Sequence, residues 1–261
     1  LRVIIVGISG RAGQAIARGI APHHTIIAGI SPSGRYAERR KEDPSLPDVP
    51  ICRHPFDLPP EQIDAAIDFT PAKASAENIP FLLGRKIPCV VGSTGVTEEV
   101  LQRWKFVAIA NETGVIWSPN FSVGATLLNA VLRKASPWFD RAEIVEIHHD
   151  QKRDSPSGTA LMLAENLAPK SGGFDDPGAE TIKGVRGGIL NQVHIHSLRL
   201  PGFVGTHQVY LASSSESVII EHRVLSREAF VAGVLLALQH LPSARGLVRG
   251  IESFLVAPET K

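Results

Sequence analysis

The sequence predicts an α/β protein: a doubly wound parallel sheet covered on both faces, followed by a second, α+β domain with a mixed sheet. Three observations predict it. Short apolar runs alternate with helical periods through the first half of the chain. A glycine-rich turn, Gly7-Ile8-Ser9-Gly10-Arg11-Ala12-Gly13, directly follows the first of those runs. Past about Asn120 the texture changes, and strands come in near succession. The 261 residues suit one large domain or two modest ones.

Residues 2–6 are an apolar run ending at Gly7, and residues 11–20 then place Ala12, Ala15, Ile16, Gly19 and Ile20 on one helical face. Residues 25–30 read as a second strand, closed by the turn cluster Ser31-Pro32-Ser33-Gly34. Residues 35–62 are polar and proline-rich, and are expected to form a loop excursion with little regular structure. Buried strands are expected at 65–69, 87–91 and 115–117, with helices at 74–83 and 97–105 between them. Further on, 143–148 reads as a strand, 157–167 as a helix, and 192–200, 206–212 and 217–223 as three more strands. Residues 227–241 close the series as an amphipathic helix through Phe230, Val231, Val234, Leu235 and Leu238.

Composition excludes several classes of function. Hydrophobic residues at 43% and charged residues at 20% supply enough apolar surface to offset the entropy of ordering, so the chain is not intrinsically disordered. Lys+Arg 27 against Asp+Glu 26 leaves a net charge of +1, which gives no reason to expect nucleic acid or an anionic membrane as partner. No apolar stretch approaches the roughly 20 residues that span a bilayer. The opening Leu1-Arg2-Val3-Ile4-Ile5-Val6-Gly7 lacks the charged flank and long apolar core of a signal peptide, and a first residue other than Met suggests an incomplete N-terminus. Cys52 and Cys89 have no CxxC spacing, so the expectation is a reduced, cytoplasmic protein with no metal site.

The chemistry starts at the Gly7–Gly13 turn. Glycine there permits a tight turn and close approach of the backbone to a pyrophosphate, and the helix that follows presents its opening amides to the phosphates. The spacing is GxxGxxG rather than GxGxxG, so strand and helix context carry the reading more than the pattern does. Where a ribose-binding acid would stand after the second strand, the chain has Ser31, with Ser33, Arg35, Arg39 and Arg40 close behind. A hydroxyl and a guanidinium suit a 2′-phosphate better than a free diol, which favours NADPH, with NADH possible. Gly92-Ser93-Thr94-Gly95 and Ser118-Pro119-Asn120-Phe121 also end strands, the edge at which such sheets bind ligands.

The most informative stretch is Glu146-Ile147-His148-His149-Asp150-Gln151-Lys152-Arg153-Asp154-Ser155-Pro156-Ser157-Gly158-Thr159-Ala160. It supplies two titratable imidazoles and a strong cation, then Ser157-Gly158-Thr159 opening a helix whose amides suit a carboxylate. A dianionic small molecule fits that arrangement of charge. Adjacent histidines on a strand point to opposite faces, so His148 and His149 do not make a metal site.

On this stretch the sequence resembles the dihydrodipicolinate reductase family. The resemblance runs over nearly the whole chain, through Gly7–Gly13, Asp68-Phe69-Thr70, Gly92–Gly95, Asn120-Phe121-Ser122, Gly184-Val185-Arg186-Gly187 and His196-Ser197-Leu198-Arg199-Leu200-Pro201-Gly202. It implies a Rossmann-type domain over 1–121 and 228–261, and a substrate-binding domain with an open mixed sheet over 122–227 that also builds a homotetramer. It implies reduction of 4-hydroxy-tetrahydrodipicolinate in lysine and diaminopimelate biosynthesis, with His148 as acid/base and Lys152 as proton donor. His149, Ser157, Gly158 and Thr159 would then hold the carboxylates of a small dicarboxylate substrate. Gly7, Ile8, Ser9, Gly10, Arg11, Ala12, Ser31, Arg35, Phe69, Gly92, Ser93, Thr94, Ser118, Pro119, Asn120 and Phe121 would hold the nicotinamide nucleotide. Ala12 stands where Met is common in the family, Ser93 where Thr is common, and Ser31 where many members place an acid. Two other readings share this architecture: a reductase of another cyclic imine, and a nucleotide-sensing protein without turnover. Retention of His148 and Lys152 argues against the second.

Overall fold

The computed structural model describes residues 1–58, 62–169 and 180–255. In chain order the first elements are β1 (Arg2–Val6), α1 (Arg11–Ile20), β2 (Thr25–Ile30), α2 (Tyr36–Glu42), β3 (Ile51–Cys52), β4 (Ala65–Asp68), α3 (Ala72–Gly84), β5 (Cys89–Val91), α4 (Glu98–Ala110) and β6 (Gly114–Trp117). There follow α5 (Val123–Ala135), β7 (Arg141–His148), α6 (Gly158–Asn166), β8 (Gly188–Leu190), β9 (Val193–Arg199), β10 (Gly205–Ala212) and β11 (Ser217–Val224). The last are α7 (Val231–His240) and β12 (Gly246–Arg249). The chain divides into two compact units, one of Leu1–Val123 with Arg227–Lys261 and one of Gly124–Ser226.

In the first unit all strand pairs are parallel, in the order β12-β6-β5-β4-β1-β2-β3. The chain steps outward from β1 to β3, then restarts on the other side of β1 at β4, which makes the β1/β4 boundary the switch point of a Rossmann-type sheet. Both faces are covered. Val3, Ile5, Ile67 and Val90 meet Ile16 and Ile20 of α1 and Val234 and Leu238 of α7. Ile4, Val6, Ala66 and Cys89, the alternate positions, meet Ile79 and Leu83 of α3 and Leu101 and Trp104 of α4. Burial on both faces is why these strands read as unbroken apolar runs.

The second unit holds a five-stranded sheet, β11-β10-β7-β9-β8, in which β7 and β9 are parallel and the other pairs antiparallel. One face carries Ala142, Ile144, Ile195, Val209 and Leu211, packed with Leu128 and Leu132 of α5 and Leu163 of α6. The opposite face is open and exposes Ile189, Leu198 and Ile219.

The structure corrects the expectation for 35–62. The segment holds α2, β3 and a 3-10 turn at Pro55–Asp57, and only residues 59–61 of it lie outside the described part. The expected helix at 227–241 divides into a 3-10 turn, Arg227–Phe230, and α7. Helix α5 and strands β8 and β12 occupy stretches that the sequence reading leaves unassigned. Most of the Gly-, Asp- and Pro-rich stretch after Ala168, and residues 256–261, lie outside the described residues. Among the described residues no helix is long and apolar enough to cross a membrane.

Candidate active site

The loops after β1, β2, β4, β5 and β6 leave the carboxyl edge of the first sheet side by side, because the register aligns Val6 with Ile30 and Asp68, Asp68 with Val91, and Val91 with Trp117. The turn after β1 is fastened to β2 by Gly7 N and Ile8 N donating to Ile30 O at 2.9 and 3.3 Å. Gly7 has φ +82, and a Cβ on it would meet Thr70 Cγ2 at 2.8 Å. A Cβ on Gly13 would overlap the Gly7 carbonyl, so helix α1 approaches β1 at a distance only glycine allows. Gly10 caps α1 with no side-chain hydrogen bond, and the first turn holds no acid. That helix start is therefore shaped and charged for an anion.

Behind the turn, Ser9 Oγ and Ser31 Oγ lie 2.7 Å apart, with Ser31 fully buried and Ser33 Oγ 3.4 Å from it. Of the nearby arginines, Arg39 pairs with Glu42 at 2.9 Å and Arg40 with Asp48 at 2.8 Å. Arg35, exposed before α2, has no ion pair among the described residues. Phe69 lies against Phe121 and Phe230, ring centroids 5.6 and 6.4 Å away, and fills the space that a Cβ on Gly92 would need. Ser93 donates to Thr70 O at 2.6 Å, and Asp68, buried, accepts from Thr70 and Ser75. Ser118 Oγ donates to Asn120 O at 2.6 Å and so closes the Ser118–Phe121 turn; Pro119 and Thr94 are exposed. The close glycine approach, the α1 start without a side-chain cap, and the Ser9–Ser31 hydroxyl pair at the end of β2 all fit a dinucleotide.

In the second unit, the apolar face of the sheet turns polar at one end. Glu146, His148, Ser197, Arg199 and His207 continue the face of Ile144, Ile195 and Val209, because alternation and register put them there. Glu146 is 0% exposed. One of its oxygens accepts from His148 Nδ1; the other accepts from Arg199 Nη2 at 2.8 Å and from Ser157 N at 3.3 Å. Burial pushes the Glu146 carboxyl up, but hydrogen bonds from His148, Arg199 and Ser197 outweigh it and hold the pKa at about 2. His207 stands edge-on to His148, centroids 5.4 Å apart, with its Nε2 3.1 Å from Ser157 Oγ.

Ser157 caps α6, its Oγ accepting from Ala160 N at 3.2 Å, which leaves the hydroxyl proton for His207. The amides of Gly158 and Thr159 precede the first helical bond, Leu161 N to Ser157 O at 3.0 Å. Lys152 Nζ donates to both carboxylate oxygens of Asp154 at 2.8 Å. Arg199 Nη2 also reaches Asp154 O at 2.7 Å and so ties the 149–156 loop to the sheet.

Two comparisons with families decide what this arrangement descends from. Residues 1–121 match the family described as dihydrodipicolinate reductase, N-terminus, and residues 124–255 that described as dihydrodipicolinate reductase, C-terminus. The chain belongs to the dihydrodipicolinate reductase family. As a member of this reductase family it is an oxidoreductase, and the family implies use of NAD(P)H. It is similar to the 4-hydroxy-tetrahydrodipicolinate reductases of Dictyoglomus turgidum, 33% identical over 98% of both chains, and Lactobacillus acidophilus, 36% identical over 97% of this chain and 98% of the other. A solved dipicolinate-bound dihydrodipicolinate reductase from Paenisporosarcina sp. TG-14 superposes with TM-score 0.84 at 30% identity, covering 98% of this chain and 99% of that one. A myo-inositol dehydrogenase from Corynebacterium glutamicum, 15% identical over 94% of this chain and 90% of its own with TM-score 0.61, shares the fold.

Within this reductase the structure gathers the expected residues into two groups. Gly7 to Ala12, Ser31, Phe69, Gly92 to Thr94 and Ser118 to Phe121 line one edge of the first sheet, with Arg35 beyond Ser31. His148, Ser157, Gly158 and Thr159 gather at one end of the second sheet, with His149 and Lys152 on the loop between strand and helix. The sequence reading gives no role to Glu146, Arg199, Asp154 or His207. Glu146, Asp154 and Arg199 lie inside stretches that carry the family resemblance, but His207 sits on a separate strand and is brought to the group by the pairing Glu146↔His207. A cavity of about 500 Å³ lies elsewhere, on the open face of the second sheet beside Glu143, Val145, His196 and Tyr210. There Glu143 accepts from Arg186 Nη2 at 2.6 Å and His196 Nε2 at 2.9 Å. It touches none of the expected site residues, so its size does not mark the chemistry.

Proposed function

We propose that this chain reduces 4-hydroxy-tetrahydrodipicolinate to tetrahydrodipicolinate with NAD(P)H, as a cytoplasmic step of lysine and diaminopimelate biosynthesis. The observation that carries the reading is the meeting of His148, buried Glu146 and the start of α6 at Ser157 in one hydrogen-bonded group. Water leaves the hydroxyl-bearing carbon, a hydride and one proton arrive, and oxidised nucleotide departs. The loops at the carboxyl edge of the first sheet would hold the dinucleotide, whose nicotinamide would supply a hydride to C4 of the conjugated cyclic imine. His148 and Lys152 supply the proton at the neighbouring carbon, where negative charge develops. His149 and the Ser157–Thr159 helix start hold the two carboxylates, which the positive end of a helix favours. Asp154 fixes Lys152 Nζ through two bonds and so orients the donor.

The reading is tested by following oxidation of NADPH and of NADH with substrate made in situ from pyruvate and aspartate semialdehyde by the preceding synthase. Rapid oxidation is expected in the parent, with kcat lost by about 100-fold or more in Lys152→Ala. A folded, nucleotide-binding parent that oxidises neither coenzyme would overturn the assignment.

The same reading prefers NADPH. Ser31 brings no carboxylate against a 2′-phosphate, and Arg35 is the arginine there without an ion pair among the described residues. Arg35→Ala is expected to raise KM for NADPH by about 10-fold or more, the worth of one charge-assisted hydrogen bond. KM for NADH should stay within about 2-fold, and equal losses on both coenzymes would remove Arg35 from 2′-phosphate recognition. A homotetramer assembled through the open face of the second sheet completes the proposal, since that face exposes apolar side chains.

A further inference from the structure

Glu146 is a carboxylate that folding has taken wholly out of water and then supplied with a full set of donors. Its donors come from three elements: His148 two residues along the same strand, Arg199 and Ser197 from the neighbouring strand β9, and Ser157 N at the threshold of α6. A charged carboxylate only accepts, so the shared proton sits on His148 Nδ1 and the lone pair of the neutral ring is on Nε2. Nε2 points along the sheet toward Gly205, where a Cβ would come within 3.1 Å of it. Arg199 does more than balance charge. The same Nη2 reaches the Asp154 carbonyl, and the Asp154 carboxylate holds Lys152. One guanidinium thereby links the group that fixes His148 to the loop that carries Lys152.

We infer that Glu146 is the positioning residue for His148, setting its tautomer and ring orientation, and that Arg199 holds Glu146 in place and registers the Lys152 loop against it. This rests on the reading of His148 as the acid/base. With the carboxylate in place, a protonated His148 keeps its Nδ1 proton on Glu146 and gives its Nε2 proton to the substrate, which leaves the Nδ1–H tautomer. Without it the ring loses the partner that stabilises its charged form and is free to turn, which spoils proton transfer. The same carboxylate fixes the start of α6 through Ser157 N, so strand, helix and loop converge on a single buried group.

The test uses full-length protein labelled with ¹⁵N-histidine, and the variants Glu146→Gln, Glu146→Asp, Arg199→Lys and His148→Gln. Thermal melting and NADPH titration confirm that each variant is folded. In the parent, the His148 ring resonances, assigned by their loss in His148→Gln, should show Nδ1 as the protonated nitrogen of the neutral ring. Glu146→Gln should lower kcat by about 100-fold with KM for substrate changed by less than about 3-fold, and shift the neutral ring toward a mixture of tautomers. Glu146→Asp, which restores a carboxylate with shorter reach, should recover Nδ1 protonation and part of kcat. Arg199→Lys should lower kcat less than Glu146→Gln does. The proposal is overturned if Glu146→Gln keeps kcat while His148→Gln loses it, or if kcat falls with the tautomer unchanged, since the role would then be structural. If His148→Gln itself keeps full activity, the acid/base reading fails instead, and the tautomer measurement still decides whether Glu146 sets the ring.

Discussion

His207 is kept neutral by burial first and by the nearness of His148 second, which together push its pKa down from 6.5 to about 3. An unfolded chain would protonate this ring at mildly acidic pH, whereas the folded one does not. Stability contributed here is therefore whole above pH 6.5 and is lost as pH falls through the window from 6.5 toward 3. Glu146 adds a loss of the same sign lower down, from its ordinary 4.5 toward about 2. The expected outcome is a melting temperature that drops as pH falls below 6.5, and a flatter profile between pH 6.5 and about 5 in His207→Gln. Scanning calorimetry across that range checks it; parallel profiles would show that another group governs acid lability. His148, Lys152 and Ser157 were legible in the sequence because they lie in one contiguous stretch. His207 was not, because sheet register, which no local pattern displays, brings it to Glu146.

The β1–turn–α1 element shows how little room such a motif has. Replacing Gly13 by alanine puts a methyl against the Gly7 carbonyl, inside a close-packed junction that has no slack to give. Overpacking of this kind costs about 1–3 kcal/mol. Gly13→Ala is expected to lower the melting temperature and weaken NADPH binding by about 10-fold or more, read by calorimetric titration; unchanged affinity would place the nucleotide away from this turn. This element was plain from the sequence because its glycines punctuate an apolar run. Others left fainter traces. Helix α2 buries only Tyr36, so it carries no apolar stripe, and its arginines pair with Glu42 and Asp48. Strands β3, β8 and β12 are two, three and four residues long, too short for a period to show. Helix α5 is the exception: Ala125, Leu128, Asn129 and Leu132 trace its buried face. Its Gly124 and Thr126 are weak helix formers, and a polar Asn129 interrupts the stripe, which blurs the signal.

At the scale of the whole molecule, the second sheet presents one finished face and one open one. Ile219 is 57% exposed and Ile189 62%, on strands at opposite edges of that face. An apolar surface of this kind is expected to be covered by other copies of the chain. Ile219→Glu together with Ile189→Glu should shift the sedimentation velocity profile from tetramer to smaller species; a parent that already sediments as a monomer would overturn the assembly. The two-part organisation and the mixed second sheet were readable from the change in texture after Asn120, but strand order was not, since β7 pairs with β10 and β9 rather than with its sequence neighbours.

The first sheet also has a history written into its strand order. Its outer strand β12 and covering helix α7 come from the far side of the second unit in the chain, and both join residues laid down before that unit begins. During synthesis, at about 5–20 residues per second, the ribosome releases β1 to β6 first and then the whole of the second unit. All that time one face of the nascent sheet waits for Val234 and Leu238, and β6 waits for β12. The second unit is complete in the chain while the first is still unfinished. A chain cut short after Ser226 would keep the second unit and lose α7 and β12 from the first. Only translation past Arg249 completes the first sheet, so a ribosome that stalls late on this message holds a chain with one face of that sheet uncovered and β6 unpaired on its outer side.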